Sequence, residues 1–273
     1  MSRPWRRPVT AGCPCESGAV NHYIAFRTIL FREIQRFSRI WLQTIVPPAI
    51  TMTLYFVIFG GLIGSQIRHM DGYSYMQYMA PGIIMMAVIT NSYSNVVSSF
   101  FGAKFQRHIE ELLVAPVPNY LILLGYIGGG VARGLLVGVL VTCVALFFTH
   151  LHVSSPLITA SVVLLTSVLF SLGGFINAVF ATKFDDISIV PTFVLTPLTY
   201  LGGVFYSIKM LPDFWRHVSM VNPILYMVNA FRYGILGVSD INIVAAYLII
   251  GLFVVILFVF SLHLLNRGTG IRS

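Results

Sequence analysis

His108-Ile109-Glu110-Glu111-Leu112-Leu113-Val114-Ala115-Pro116-Val117-Pro118 is a short polar helix start closed by two prolines. Proline removes a backbone donor and clashes with the preceding turn, so a helix begun at His108 must stop by Pro116. The segments on either side are long and apolar. A piece suited to water therefore stands between two pieces suited to lipid, and that contrast decides the fold. Of 273 residues, 57% are hydrophobic and only 10% are charged, whereas soluble domains carry about 25% charged residues. An uncharged apolar run of about 20 residues crosses a bilayer core of roughly 30 Å. Several such runs occur here, which predicts an all-α polytopic membrane protein lodged in a lipid bilayer. The net charge of +8 calls for no nucleic acid, because Lys and Arg gather in the cytoplasmic loops of such proteins.

Toward the amino end, the pattern predicts spans at about 77–101 and 42–64. The first is polar for its class: Asn91, Asn95 and Ser98 fall on one helical face. In lipid these groups must face protein or water. Two readings stand, helix–helix hydrogen bonding and the lining of a transport path. Pro47-Pro48 should kink the span at 42–64. Before it, Tyr23, Phe26, Leu30, Ile34, Phe37 and Trp41 recur every three or four residues, with Arg32, Arg36 and Arg39 opposite. That predicts an amphipathic helix in the membrane interface, arginines toward lipid headgroups. Residues 1–20 read as a disordered leader. Val9-Thr10-Ala11-Gly12-Cys13 faintly resembles a lipoprotein cleavage box but has no apolar core before it.

Toward the carboxyl end, spans are predicted at about 119–149, 154–182, 187–206 and 241–265. The stretch 119–149 is longer than a crossing needs, and its first third, to the break expected at Gly128-Gly129-Gly130, is expected at the inner interface. Gly130, Gly134 and Gly138 repeat every four residues, the small-residue pattern that lets membrane helices approach closely. Arg133 lies one turn beyond the triple glycine and reads either as snorkelling to headgroups or as functional; the former is preferred. Thr192, Thr196 and Thr199 stripe one face of the span at 187–206. Between Lys209 and Asp240 the charges are too closely spaced for a crossing. The residues between Arg216 and Arg232 would make about 22 Å of helix. Pro212 and Pro223 sit where helices start, so two short helices are expected to dip into the outer leaflet and return, which requires burial in protein or a cavity.

Sidedness follows from the positive charges. With both termini cytoplasmic, Arg3, Arg6, Arg7, Arg27, Arg32, Arg36, Arg39, Lys104, Arg107, Lys183, Arg267 and Arg272 lie inside, against Arg68, Lys209, Arg216 and Arg232 outside. Six spans satisfy the positive-inside rule.

Much chemistry is missing. There is no phosphate-binding Gly-x-x-x-x-Gly-Lys-Ser/Thr, no His-Glu-x-x-His and no Gly-x-Ser-x-Gly. The spans hold no Asp or Glu for a proton relay. Cys13-Pro14-Cys15 lacks the second ligand pair of a zinc site, and Cys143 is alone in a span. No metal and no resident cofactor are expected, and energy must come from elsewhere or transport is passive.

Arg39 to Thr44 through Pro47-Pro48, Phe100 to Arg107, Ile109 to Pro118, Phe184-Asp185-Asp186-Ile187, Pro191 to Tyr206, and Asn222-Pro223 through Phe231-Arg232-Tyr233-Gly234 together resemble the permease subunit of an ABC exporter of the ABC-2 type, in a branch of bacterial inner-membrane permeases. The likeness runs from about Asn21 to Ser273; the leader falls outside it, so a later true start is expected. The resemblance implies that Arg107, Glu110, Glu111, Leu112, Leu113 and Pro116 dock on a separate ATP-binding subunit, which would hold ATP and Mg. It implies that the helix bearing Phe26, Leu30, Arg32, Arg36 and Phe37 braces that interface, that Pro212, Asn222, Pro223 and Arg232 belong to an outer gate, and that two copies enclose the path. Rival readings are a channel or flippase acting alone, a membrane enzyme built on His69 and Asp71 or His150 and His152, and a scaffold without transport.

Overall fold

A computed structural model describes residues 22–64, 69–70, 72–114, 116–268 and 270. The expected leader, Arg68, Asp71, Ala115 and Arg272 lie outside the described residues, as do the side chains of His69, Glu110 and Leu113. The chain runs α1 (His22–Arg39), α2 (Trp41–Tyr55), a wider π-helical stretch (Phe56–Ile63), a two-stranded hairpin (His69–Met70 with Tyr73–Ser74), α3 (Tyr75–Phe105) and α4 (His108–Val114). It continues through α5 (Asn119–Phe148), α6 (Pro156–Phe180), α7 (Asp186–Val190), a second π stretch (Pro191–Leu195), α8 (Thr196–Leu201), α9 (Asp213–Val221), α10 (Pro223–Leu236) and α11 (Ile243–Arg267).

Five helical stretches among the described residues are long and apolar enough to cross a bilayer: Trp41–Gly61, Tyr75–Phe105, Asn119–Phe148, Pro156–Phe180 and Ile243–Arg267. The chain is an all-α polytopic membrane protein. The stretch Asp186–Leu201 is apolar but shorter. It ends at Leu201, five residues before the expected limit of that span. Gly202 turns out of the helix, Gly203 takes φ +71°, and the Gly203 carbonyl is held by Arg232. At that φ a side chain would be strained.

The hub is α3, buried along most of its length against α5, α6 and α10. A capping box starts it: the Ser74 hydroxyl accepts from the Gln77 amide and the Gln77 side chain accepts from the Ser74 amide. Small residues set how close its neighbours come. Gly130, Gly134 and Gly138 of α5 face Ser92, Val96 and Val88 of α3 and Ser167 and Ser171 of α6; a Cβ on Gly138 would stand 2.8 Å from Val88. The α5 helix runs unbroken through Gly128-Gly129-Gly130, so the expected break is absent. Gly125, Gly128 and Gly129 serve instead as the floor for α1, against Ile29, Leu30 and Glu33.

That contact changes the picture of α1. Its inward face is Ile29, Leu30, Glu33, Ile34, Arg36 and Phe37, while Arg32 and Arg39 are exposed as expected. Arg36 does not point away with them. It turns into the bundle beside Glu33, because Asn95 of α3 offers acceptors that lipid does not, while the Ser99 hydroxyl donates to Glu33. Elsewhere in the bundle α10 packs on α3, α6 and α11, and α9 is mostly exposed. Pro223 opens α10 at its first position, and Asn222 caps it through Ile224. Pro212 stands one residue before α9. Lipid-length apolar faces remain uncovered on α11, including Leu248, Leu252, Val255 and Val259.

Candidate functional site

Three places hold the residues singled out by sequence. The first is the α3–α4–α5 loop. Arg107 takes φ +59° in the turn between α3 and α4, an uncommon conformation for a residue with a side chain. The α4 helix is anchored by Ile109, fully buried, and half-buried Leu112. Glu111, Pro116 and Val114 are exposed, Val114 at 87%. A buried face and a projecting face on a seven-residue helix make a knob rather than a floppy connection. Its base is stiffened by Phe101, Phe105 and Phe184, whose rings meet edge-on at 5.0 and 4.9 Å. Lys104 donates at 2.7 Å to both the Val179 and Ala181 carbonyls, satisfying acceptors left free at the end of α6.

The second place is polar and lies about half way along α3 and α5. Arg36 Nη2 donates to Asn95 Oδ1 at 2.9 Å and to the Asn95 carbonyl at 3.1 Å. The same nitrogen lies 3.4 Å from Glu33, which accepts from Ser99 at 2.6 Å. One turn along α3, Arg133 Nη2 donates to Asn91 Oδ1 at 3.3 Å. The chosen stripe thus divides. Asn91 and Asn95 are buried and hydrogen-bonded, whereas Ser98 is exposed beside half-buried Ser94 and exposed Thr90. Across from Thr90, the residues Thr192, Thr196 and Thr199 line a cavity of about 200 Å³ with Met86 and Tyr200. Thr192 and Thr196 are exposed and Thr199 is buried.

The third place lies around α10. Arg232, counted by sequence among the outer charges and expected at an outer gate, is 1% exposed within α10. It donates to the Gly203 carbonyl at 2.7 Å, the Tyr78 hydroxyl at 3.0 Å, the Tyr78 carbonyl at 3.3 Å and Asn229 at 3.4 Å. Its guanidinium lies 4.0 Å from the centre of the Tyr78 ring, a favourable cation–π placement. Tyr78 and Ser207 both donate to Asp240, and Lys209 closes an ion pair with it at 3.2 Å. Burial raises the Asp240 carboxyl, but the hydrogen bonds of Ser207 and Lys209 and the charges of Arg232 and Lys209 outweigh it, leaving the group below its ordinary range. The network ties α3, α10 and the 203–209 loop into one clasp.

Sequence reasoning missed Glu33, Ser99, Tyr78 and Asp240. Glu33 left a signal: it falls on the apolar face with Leu30 and Phe37, where a carboxylate needs a partner. Tyr78 and Asp240 left none, since their pairing joins residues 162 apart. Of the rival enzyme sites, Asp71 and the side chain of His69 lie outside the described residues.

The membrane-length helices pack around α3, with the short helix α4 beside it and a polar seam along this hub helix. The chain belongs to the ABC-2 type transporter family, whose model matches residues 24–236. It is 60% identical over 252 residues to the inner membrane transport permease YadH of Escherichia coli K12, covering 92% of this chain and 98% of that one, and equally to YadH of Shigella flexneri. Nodulation protein J of Rhizobium leguminosarum bv. viciae is 23% identical over 215 residues, 78% of this chain and 83% of that one.

Proposed function

We propose that this chain is the membrane subunit of an ATP-driven exporter of the bacterial inner membrane, working as a pair of copies with ATP hydrolysed on a separate subunit. The observation that carries the reading is α4: a short helix rooted by Ile109, braced through Lys104 to the end of α6, and presenting Glu111, Val114 and Pro116 outward. A rigid knob is what a motor needs to push against. Force entering α4 reaches α3 directly and α6 through Lys104, and α3 touches most of the bundle. Alternation between inward and outward states is then a rigid-body tilt biased by nucleotide.

In this reading six crossings put both termini in the cytoplasm, with Asp186–Leu201 as the fifth, and α9 and α10 re-enter the outer leaflet as a gate held by the Arg232 clasp. The path runs between copies, along Thr90, Ser94 and Ser98 and the facing Thr192 and Thr196. The uncovered apolar faces of α2 and α11 meet lipid or the second copy. ATP and Mg stay on the partner, and residues 21–273 form one permease domain. The test is charge reversal. Glu110→Arg with Glu111→Arg is expected to abolish co-purification of the ATP-binding subunit and permease-stimulated ATP hydrolysis while leaving the permease folded. Intact co-purification and stimulation in the double variant would refute the docking assignment.

A further inference from the structure

Two arginines share the seam between α1, α3 and α5, and among the described residues one carboxylate, Glu33, lies beside them. Arg36 lies beside Glu33. Arg133 has one long hydrogen bond, to Asn91, and no ion pair among the described residues. Asn91 and Asn95 are four residues apart on α3, about 6 Å by helical rise, so the two guanidinium groups are held on neighbouring turns. Arg36 spends a single terminal nitrogen on all three of its contacts. Its Nε, the Nε of Arg133 and the Nδ2 of Asn95 are buried and meet no acceptor among the described residues. Asn95 as a whole is fully buried.

A buried donor without an acceptor is costly, and an uncompensated charge inside a membrane protein more so. The Ser92 and Ser171 hydroxyls nearby are also buried without a partner, but the three nitrogens left over share one character: they are donors only, their residues with Glu33 carry a net positive charge, and two of them belong to planar forks that match an oxyanion. Water satisfies single donors but leaves that charge standing. The exposed hydroxyls of Thr90 and Ser98 run alongside, so the seam borders the proposed path. It also stands level with α1, one turn from Gly129, where the charged end of an amphiphile would lie if α1 rests in the interface.

We propose that Arg36 and Arg133, with Asn95, bind an oxyanion, a phosphate or carboxylate, carried by the compound that this permease moves. This rests on the exporter reading and narrows its substrate class to anions. The seam would hold the group while the remainder of the compound lies along the hydroxyl stripe or in lipid. Arg36 in turn is kept in place by Glu33, which is a positioning residue here.

The experiment is binding to the purified full chain without an ATP-binding subunit, read by thermal unfolding and by native mass spectrometry. The probes are inorganic phosphate, dioctanoyl phosphatidic acid and uncharged dioctanoylglycerol. The expected result is half-saturation by phosphatidic acid at a concentration at least tenfold below that of dioctanoylglycerol. Arg133→Gln and the charge-neutral pair Glu33→Gln with Arg36→Gln should each weaken phosphatidic acid at least tenfold. Arg133→Lys, which keeps the charge and loses the fork, should weaken it several-fold and serves if the glutamine variants do not fold. Protection by inorganic phosphate alone would assign the oxyanion to a soluble compound, and protection only by phosphatidic acid would assign it to a lipid. Absence of preference over dioctanoylglycerol for both anions, or unchanged affinity in the arginine variants, overturns the site. Because no motor is present, that failure leaves the exporter reading untouched, and a failed docking test leaves the anion site untouched.

Discussion

Replacing Arg232 by Met tests whether the clasp at the α10 end is structural. Methionine keeps an unbranched apolar stem and deletes the guanidinium. Two of the lost hydrogen bonds are short, to the Gly203 carbonyl at 2.7 Å and the Tyr78 hydroxyl at 3.0 Å; those to the Tyr78 carbonyl and Asn229, at 3.3 and 3.4 Å, are weak. Hydrogen bonds from charged donors contribute about 1.5–3 kcal/mol each, so the short pair alone gives about 3–6 kcal/mol. Removing one member of a buried charged network costs about the same. Side-chain hydrogen bonds between helices in lipid average only about 0.6 kcal/mol. The larger figure is expected here because Arg232 is 1% exposed and its charge offsets that of Asp240. Reversible unfolding of the purified chain in mixed micelles should show Arg232→Met less stable by about 3–5 kcal/mol. Tyr78→Phe removes a hydroxyl that both receives from Arg232 and donates to Asp240. A cycle between the two changes should give at least about 1 kcal/mol of coupling. A loss below about 1 kcal/mol, the range of an ordinary membrane hydrogen bond, with no coupling to Tyr78, would refute the clasp.

Two further outcomes follow from the packing and the electrostatics. Gly129→Leu would place a Cβ 2.6 Å from the Cβ of Glu33 and should cost more than about 2 kcal/mol by forcing α1 off α5; Gly251→Leu, with nothing within 4 Å, should stay within about 0.5 kcal/mol in the same unfolding assay. Asp240 has a lowered carboxyl pKa in the folded chain, so its contribution is complete above the unfolded value of about 3.9 and is lost as pH falls through the folded value. Unfolding midpoints from pH 7 down to 3 should therefore fall more steeply for the wild type than for Asp240→Asn, and parallel curves would contradict the assignment.

The sequence by itself determined the class of fold, because lipid admits few solutions. Apolar runs near 20 residues, Pro116 and Pro118 closing α4, Asn222-Pro223 opening α10 and the four-residue glycine repeat at Gly130, Gly134 and Gly138 are local signals, written within one or two turns of helix. Only the tertiary structure decided which polar groups meet. Arg36, placed by its helical angle on the lipid side, turns inward to donate to Asn95, 59 residues away, beside Glu33, which accepts from Ser99, 66 residues away. Arg232 counts by sequence only as an outer charge, and its burial is tolerated because Tyr78 and Gly203 supply acceptors from distant parts of the chain. The triple glycine reads as a break and is a floor for α1. Periodicity fixes which residues share a face, but a face finds its partner only through packing, and a buried charge can be tolerated only where packing brings it acceptors.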